Sequence, residues 1–146
     1  MRKSVLSFGI ATAGLFSSAA AAQEVSLFDQ SGKPQAYIAL DDEMTIYLWS
    51  GTPVAYLKDG DGGGYDVYGF NGKHLGWFTA GVIWDHHGDA SCATQDRLRS
   101  TQYEQYKSYK QYKPYKSYTE YAPYRPHFSN GFGDTPCQFL LAGGGK

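Results

Sequence analysis

Four segments of the chain repeat one pattern around a glycine, and this repeat constrains the fold more than any other feature of the sequence. Each segment has an aliphatic residue, then an aromatic residue, and reaches its glycine four positions after the aromatic. The segments are "LFDQSGKPQAYI" from Leu27, "IYLWSGTPVAYL" from Ile46, "VYGFNGKHLGWF" from Val67 and "IWDHHGDASCAT" from Ile83. The aligned glycines are Gly32, Gly51, Gly72 and Gly88, at spacings of 19, 21 and 16 residues. A short, degenerate repeat of this kind indicates one supersecondary unit used several times.

The repeated unit has the composition of a β-hairpin. About five β-branched and aromatic residues precede a polar turn, whose glycine can take a positive φ, and a second short strand follows. Three units continue with a small residue and an aromatic, and we predict that these aromatics pack in the core; the pairs are Ala36 and Tyr37, Ala55 and Tyr56, and Gly76 and Trp77. The fourth unit has Cys92 and Ala93 at that place.

The four hairpins are predicted to share one core. A lone hairpin buries too little surface to be stable in water, and residues 24 to 96 show almost no apolar pattern of helical period. We therefore predict an all-β head over residues 23–96, with "DDEM", "KDGDGGGYD" and "TAG" linking one hairpin to the next.

These repeated residues resemble a known family. With "GTPVAYL" and "YGFNGKHLGWF" as its most specific pieces, the stretch from residue 25 to about 92 is similar to the bacterial 4-fold beta flower protein family. The resemblance implies four hairpins around a pseudo-fourfold axis. It implies neither an activity nor a cofactor.

A second periodicity follows the head. The stretch "YEQYKSYKQYKPYKSYTEYAPY" has a tyrosine at every third position; these are Tyr103, Tyr106, Tyr109, Tyr112, Tyr115, Tyr118, Tyr121 and Tyr124. An α-helix rotates such a series around its surface, and a strand sends it to alternating faces. A long 3₁₀ helix is disfavoured, and the prolines push the residues before them toward extended angles. We therefore predict a polyproline II-like tail over residues 97–127, with the tyrosines along one edge.

The course of this tail has several possible interpretations. Fully extended, residues 103 to 124 would span about 65 Å, far more than the radius of gyration of about 11 Å expected for the head. The tail could bend, wrap the head, stay partly mobile, or be a disordered linker. Charge favours contact between the two, because residues 24 to 96 hold eleven carboxylates and three lysines, whereas residues 97 to 146 hold eight basic groups and three acidic ones.

The first 22 residues predict export. Arg2 and Lys3 precede an apolar run and a small-residue site ending at Ala22, which is the pattern of a signal peptide. The run is shorter than a membrane span requires. We therefore expect a periplasmic or secreted protein with no stable membrane span after cleavage, and an oxidising compartment in which Cys92 and Cys137 form a disulfide. Two free thiols, or a bridge between chains, are the alternatives. The apolar residues from Cys137 to Leu141 predict a short strand, within a segment 128–146 that docks back on the head.

Motifs that would indicate chemistry are weak in this sequence. "DHHGD" from Asp85 consists of turn residues, and "DGDGGGYD" from Asp59 lacks the ligand spacing of a calcium loop. We predict no metal, no cofactor and no catalytic residue, and the same observations make an enzyme the least favoured class.

The function predicted from these observations is that of a non-enzymatic β-repeat module, structural or interacting, with an unidentified envelope protein or glycan as its partner. The alternative is a glycan- or cell-wall-binding module that uses exposed rings of the head; the candidates are Trp49, Trp84, Tyr47 and Tyr68. Export argues against nucleic acid as a partner, although a basic aromatic tail could stack on it.

Overall fold

A computed structural model describes residues 23–145, so the predicted signal peptide of residues 1–22 lies outside the described residues. The described chain has eight strands: β1 (Glu24–Phe28), β2 (Pro34–Ala39), β3 (Thr45–Leu48), β4 (Pro53–Asp59), β5 (Tyr65–Gly69), β6 (His74–Thr79), β7 (Val82–Trp84) and β8 (Ala90–Ala93). A 3₁₀ helix (Gln95–Arg97) and one α-helix, α1 (Cys137–Ala142), follow. None of the helices in residues 23–145 has the length and apolar character needed to cross a bilayer.

The eight strands form a closed antiparallel barrel in chain order. Each pairs with its sequence neighbours, and Phe28 of β1 pairs with Ala93 of β8 to close the ring. The hairpins are β1–β2, β3–β4, β5–β6 and β7–β8. A register shift occurs at the same place in all four, next to Phe28, Tyr47, Tyr68 and Trp84. The recurrence of this irregularity confirms the pseudo-fourfold arrangement of four hairpins.

The four turns also share one geometry. Gly32, Gly51, Gly72 and Gly88 have φ of +82°, +94°, +88° and +88°. The amide of each donates to the carbonyl three residues earlier, as Gly51 does to Leu48 at 2.8 Å. This left-handed conformation is accessible to glycine at little cost, which explains why the repeat aligns on that residue.

The two faces of the barrel wall carry different side chains. Small and aliphatic residues point into the barrel and form its core; among them are Leu27, Ala36, Ile38, Ile46, Ala55, Val67, Ile83 and Cys92. The alternating positions carry aromatics on the outer face. Tyr37, Tyr56 and Trp77 are buried, with 1%, 5% and 2% of their surfaces exposed. They lie outside the barrel and not in the shared core where the sequence predicted them, so another part of the chain must cover them.

The C-terminal apolar segment is a helix, so the prediction of a strand there is wrong. Because the barrel is closed, it offers no free edge to which a ninth strand could add. One helical turn instead places Cys137 and Leu141 on the same face, and both join the core. Phe139, on another face, is 74% exposed. A disulfide between Cys92 and Cys137 attaches α1 to β8.

Candidate interaction surface

The segment between the 3₁₀ helix and α1 wraps around the outside of the barrel. We call residues 98–136 the belt. It contains no regular helix or strand, yet its backbone amides donate hydrogen bonds to all four hairpin turns. Gln102 donates to the carbonyl of Gly32, Gln111 to Gly51, Glu120 to Gly72 and Ser129 to Gly88, at 2.8 to 2.9 Å. The sequence left several courses of the tail open, and the structure shows that the belt wraps the head.

The belt advances nine residues for each hairpin. The four donors 102, 111, 120 and 129 are spaced by that number, although the glycines that accept from them are 19, 21 and 16 residues apart. A second pair keeps the same step, because Ser108 donates to Trp49 at 3.1 Å and Ser117 donates to Phe70 at 2.9 Å. Because nine residues are three periods of the tyrosine repeat, each hairpin contacts the repeat in the same phase.

The prolines of the tyrosine repeat lie only at positions that donate no amide hydrogen bond to the barrel. We call every third residue from Gln102 to Ser129 an inner position, because six of these ten residues donate an amide hydrogen bond to the barrel. Three of the remaining four positions are Pro114, Pro123 and Pro126, which have no amide hydrogen to donate. The fourth, Gln105, instead accepts a bond from the indole of Trp49 at 3.1 Å. Proline at these positions therefore stiffens the belt without loss of a hydrogen bond.

Cationic side chains of the belt lie over the outer aromatics of the barrel. The Lys107 ammonium is 4.7 Å from the ring centre of Tyr37, and that of Lys116 is 4.3 Å from the ring of Tyr56. These distances are within the range of cation–π attraction. At the fourth hairpin the belt contributes Phe128 instead, whose ring stacks on Trp84 with centres 4.7 Å apart and planes 3° apart. The belt is thus the layer that buries the outer aromatics.

Three lysines of the belt pair with carboxylates of the head. Lys107 and Lys110 contact Glu24 at 2.7 and 3.1 Å, and Lys113 contacts Asp42 and Glu43 at 2.8 and 2.9 Å. Burial acts to raise the pKa of Glu24, but hydrogen bonds and charge from the two lysines outweigh it and lower that pKa. The pKa of Asp42 is lowered for the same reasons, with Lys113 as the main partner. Charge attraction therefore acts in the first half of the belt.

The tyrosines of the repeat point away from the barrel. Tyr103 is 87% exposed, and the other seven are between 97% and 102% exposed. A side chain with this exposure contacts almost nothing of its own chain. The order of the belt therefore comes from its inner positions, and its outer surface consists of eight separate phenol groups.

The structure corrects the prediction that the four candidate rings of the head are exposed. Tyr47, Tyr68 and Trp84 are buried, at 2%, 4% and 5% exposed, and only Trp49 is partly accessible. The belt covers them: the Tyr68 hydroxyl donates to the Glu120 carbonyl at 2.7 Å. Whether any of the four binds a ligand stays a prediction, but most of the accessible aromatic surface belongs to the belt.

The polar motifs of the sequence take structural roles. Asp85 accepts hydrogen bonds from the amides of His87 and Asp89 and so stabilises the fourth turn. The glycine-rich link accepts bonds from Arg125 at the carbonyls of Gly62 and Gly63. Within residues 23–145, no three His, Cys, Asp or Glu side chains converge as a metal site would require. Sequence reasoning missed a contact between His74 and His86, which lie in different hairpins.

The comparison with known families agrees with this geometry. Residues 25–141 match the family described as 4-fold beta flower protein. The chain belongs to this family. The match extends well past residue 92, so the beta flower domain includes the belt and α1 as well as the hairpins. No curated protein and no solved structure is significantly similar to this chain.

The disulfide bears on the location of this beta flower protein. Cys92 and Cys137 are bonded within one chain, and neither is left as a free thiol. Disulfides persist in oxidising environments and are rare in the cytosol. The bond therefore favours a compartment outside the cytoplasm.

Proposed function

We propose that this protein is an exported, non-enzymatic interaction module that presents a ring of tyrosines to a macromolecule of the cell envelope. The observation that carries the proposal is the contrast within the belt: its amides and cations bind the barrel, while all eight repeat tyrosines are at least 87% exposed. Tyrosine offers a large contact area at a low cost in conformational entropy. Eight such groups on one held segment suit a partner that is contacted at several points.

The chemistry of the eight exposed tyrosines favours an uncharged partner surface. Lys107, Lys110 and Lys113 pair with head carboxylates, and Lys116 lies over a buried ring. These four lysines are therefore directed inward, and the outermost groups of the tyrosine repeat are phenol hydroxyls that both donate and accept hydrogen bonds. A neutral polymer, such as a cell-wall glycan, fits this surface better than a polyanion does.

The test is co-sedimentation of the oxidised protein with purified cell-wall polymer, at low and at high salt. We expect binding that changes little with salt, because the contact is not ionic. A variant with all eight tyrosines changed to serine should keep the fold and lose binding. Changing them to phenylalanine separates the contribution of the ring from that of the hydroxyl. If the serine variant co-sediments as well as the unmodified protein, the eight tyrosines do not form the binding surface.

A further inference from the structure

One junction between hairpins departs from the repeat. Two residues after the turn glycine, the first and second hairpins have Pro34 and Pro53, whereas the third has His74. Two residues before the turn glycine, the second and third hairpins have Trp49 and Phe70, whereas the fourth has His86. The other copies show that the fold accepts proline and an aromatic at these places, so the two histidines are not required to build the junction.

The two histidines form a chain of hydrogen bonds with Asp66. His74 Nε2 lies 2.9 Å from Asp66 Oδ1, and His74 Nδ1 lies 2.9 Å from His86 Nε2. The imidazole planes differ by 14°, and a nitrogen separation of 2.9 Å is shorter than the roughly 3.5 Å between atoms of stacked rings. The two rings therefore lie end to end, as an N–H···N hydrogen bond requires.

With His74 neutral, these hydrogen bonds determine which nitrogen of each ring carries a proton. A carboxylate only accepts, so Asp66 takes a hydrogen bond from His74 Nε2–H. Neutral His74 must then accept at Nδ1, and His86 must donate from Nε2. Nδ1 of His86 remains as a hydrogen-bond acceptor. Partial burial lowers the pKa of His86 and so favours the neutral form of this ring.

A pocket of about 480 Å³ adjoins the two histidines. Leu75, Phe139 and Leu140 supply most of its apolar wall, and α1 forms one side. The volume is within the range of small-molecule sites, which combine apolar walls with a few polar groups. Glu120 and Asp85 are close enough to influence the pKa of His86, and their negative charge disfavours an anionic ligand.

We propose that this pocket binds a small phenol, whose hydroxyl donates to His86 and whose ring packs against Phe139 and its apolar neighbours. Asp66 and His74 act as positioning residues that hold the His86 tautomer. The site is distinct from the exposed tyrosines, because none of the eight lines the pocket.

The test is titration of the oxidised protein with p-cresol by calorimetry. Its methyl ether, which cannot donate, and p-toluate, which is anionic, serve as comparison ligands. We expect p-cresol to bind at least about tenfold more tightly than either, the difference expected for one buried hydrogen bond. Equal affinity for p-cresol and its ether, or no binding of p-cresol, would overturn the proposal.

Three variants separate recognition from folding. His86→Phe copies the residue of the preceding junction, Phe70, and should weaken p-cresol by at least about tenfold. Asp66→Asn keeps the pocket wall; it should weaken binding and change the ¹⁵N shifts of His86, which report the tautomer. His87→Ala, a neighbouring exposed histidine, should bind normally. Unchanged affinity in both His86→Phe and Asp66→Asn contradicts the assignment even if each variant folds.

The same phenol chemistry could come from a free molecule or from a belt tyrosine of a second copy. Sedimentation velocity distinguishes the two sources. Self-association that p-cresol suppresses and His86→Phe abolishes identifies a second copy as the donor, whereas a monomer that binds p-cresol identifies a free phenol.

Discussion

The barrel and the belt are ordered by opposite means. The barrel buries alternating aliphatic side chains in a single core, with Leu27, Ile46 and Ile83 fully buried. The belt buries few of its own side chains and is held mainly through backbone amides and inward cations. An extended segment can therefore be ordered without a core of its own, provided that acceptors recur at the spacing of its donors.

The largest expected effect on this contrast is loss of the disulfide. Replacing both Cys92 and Cys137 with serine removes a cross-link across a separation of 45 residues. The loop-closure model gives about 4 kcal/mol lower free energy of unfolding. Denaturant titration measures the loss, and trypsin digestion at Lys107 and Lys110 should become faster than digestion within the barrel. Uniform digestion of belt and barrel would show that the two are a single cooperative unit.

Gly51→Ala should separate the belt from the barrel at one turn. A Cβ at Gly51 strains a φ of +94° and collides with the carbonyl of Tyr109. Backbone strain of about 1–2 kcal/mol and two weakened hydrogen bonds of about 1 kcal/mol each should together cost roughly 3 kcal/mol. Gly63→Ala is the matched control, because it has a φ of +86° and nothing within 4 Å. Amide exchange at Ser108 and Gln111 should increase only in Gly51→Ala; an increase in both variants would mean that strain alone loosens the belt.

Gln111→Pro tests a single belt amide. It deletes the donor to the Gly51 carbonyl, a bond of 2.9 Å, and should lower the free energy of unfolding by about 1–3 kcal/mol because a carbonyl is left unsatisfied. Gln105→Pro, at an inner position whose amide has no partner in the described chain, should be neutral or slightly stabilising. Thermal denaturation of the two variants side by side gives the comparison, and equal losses would contradict the assignment of inner positions.

Acid should weaken the first half of the belt. The folded-state pKa values of Glu24 and Asp42 lie below the ordinary 4.5 and 3.8. Their contribution is therefore fully present above those values and is lost as the pH falls through the lower folded-state values. Each partly exposed pair is worth only about 0.2–1 kcal/mol. The melting temperature of Glu24→Gln should consequently depend less on pH in the acid range than that of the unmodified protein, and parallel curves would exclude Glu24 as a contributor.

The smallest effect is expected at the outward tyrosines. Tyr112 is 100% exposed, so Tyr112→Ala should change the free energy of unfolding by less than about 0.5 kcal/mol. Lys113→Ala, the adjacent inward residue, should cost more because it removes contacts with Asp42 and Glu43. Chemical denaturation of the two single variants measures this difference. A larger loss at Tyr112 would show that the ring contacts the fold.

The sequence predicted each repeat but not the way in which the two repeats fit together. The hairpins were predictable because the turn glycines mark them, and the one-sided tyrosines because a period of three has few compatible backbones. The burial of Tyr47 and Tyr68 was not predictable, since alternation shows that a residue faces outward but not that another segment covers it. The pairing of His74 with Asp66 and His86 was hidden because neighbouring strands bring together residues that no motif links.

Closure of the barrel explains why the C-terminal prediction failed. The apolar residues from Phe139 to Leu141 suit either a strand or a helix, and local preference does not decide between them. The absence of a free edge, a property of all eight strands together, selects the helix.

The nine-residue step also constrains how such a chain can change in length. One added residue in the belt would turn every later tyrosine away from the surface, whereas three would restore their direction but shift the donors off their glycines. Only an insertion of nine keeps both alignments, and it then calls for one more hairpin. Insertions and deletions in the two halves of the gene are therefore expected to occur as matched pairs, with the number of hairpins setting the length of the tyrosine repeat.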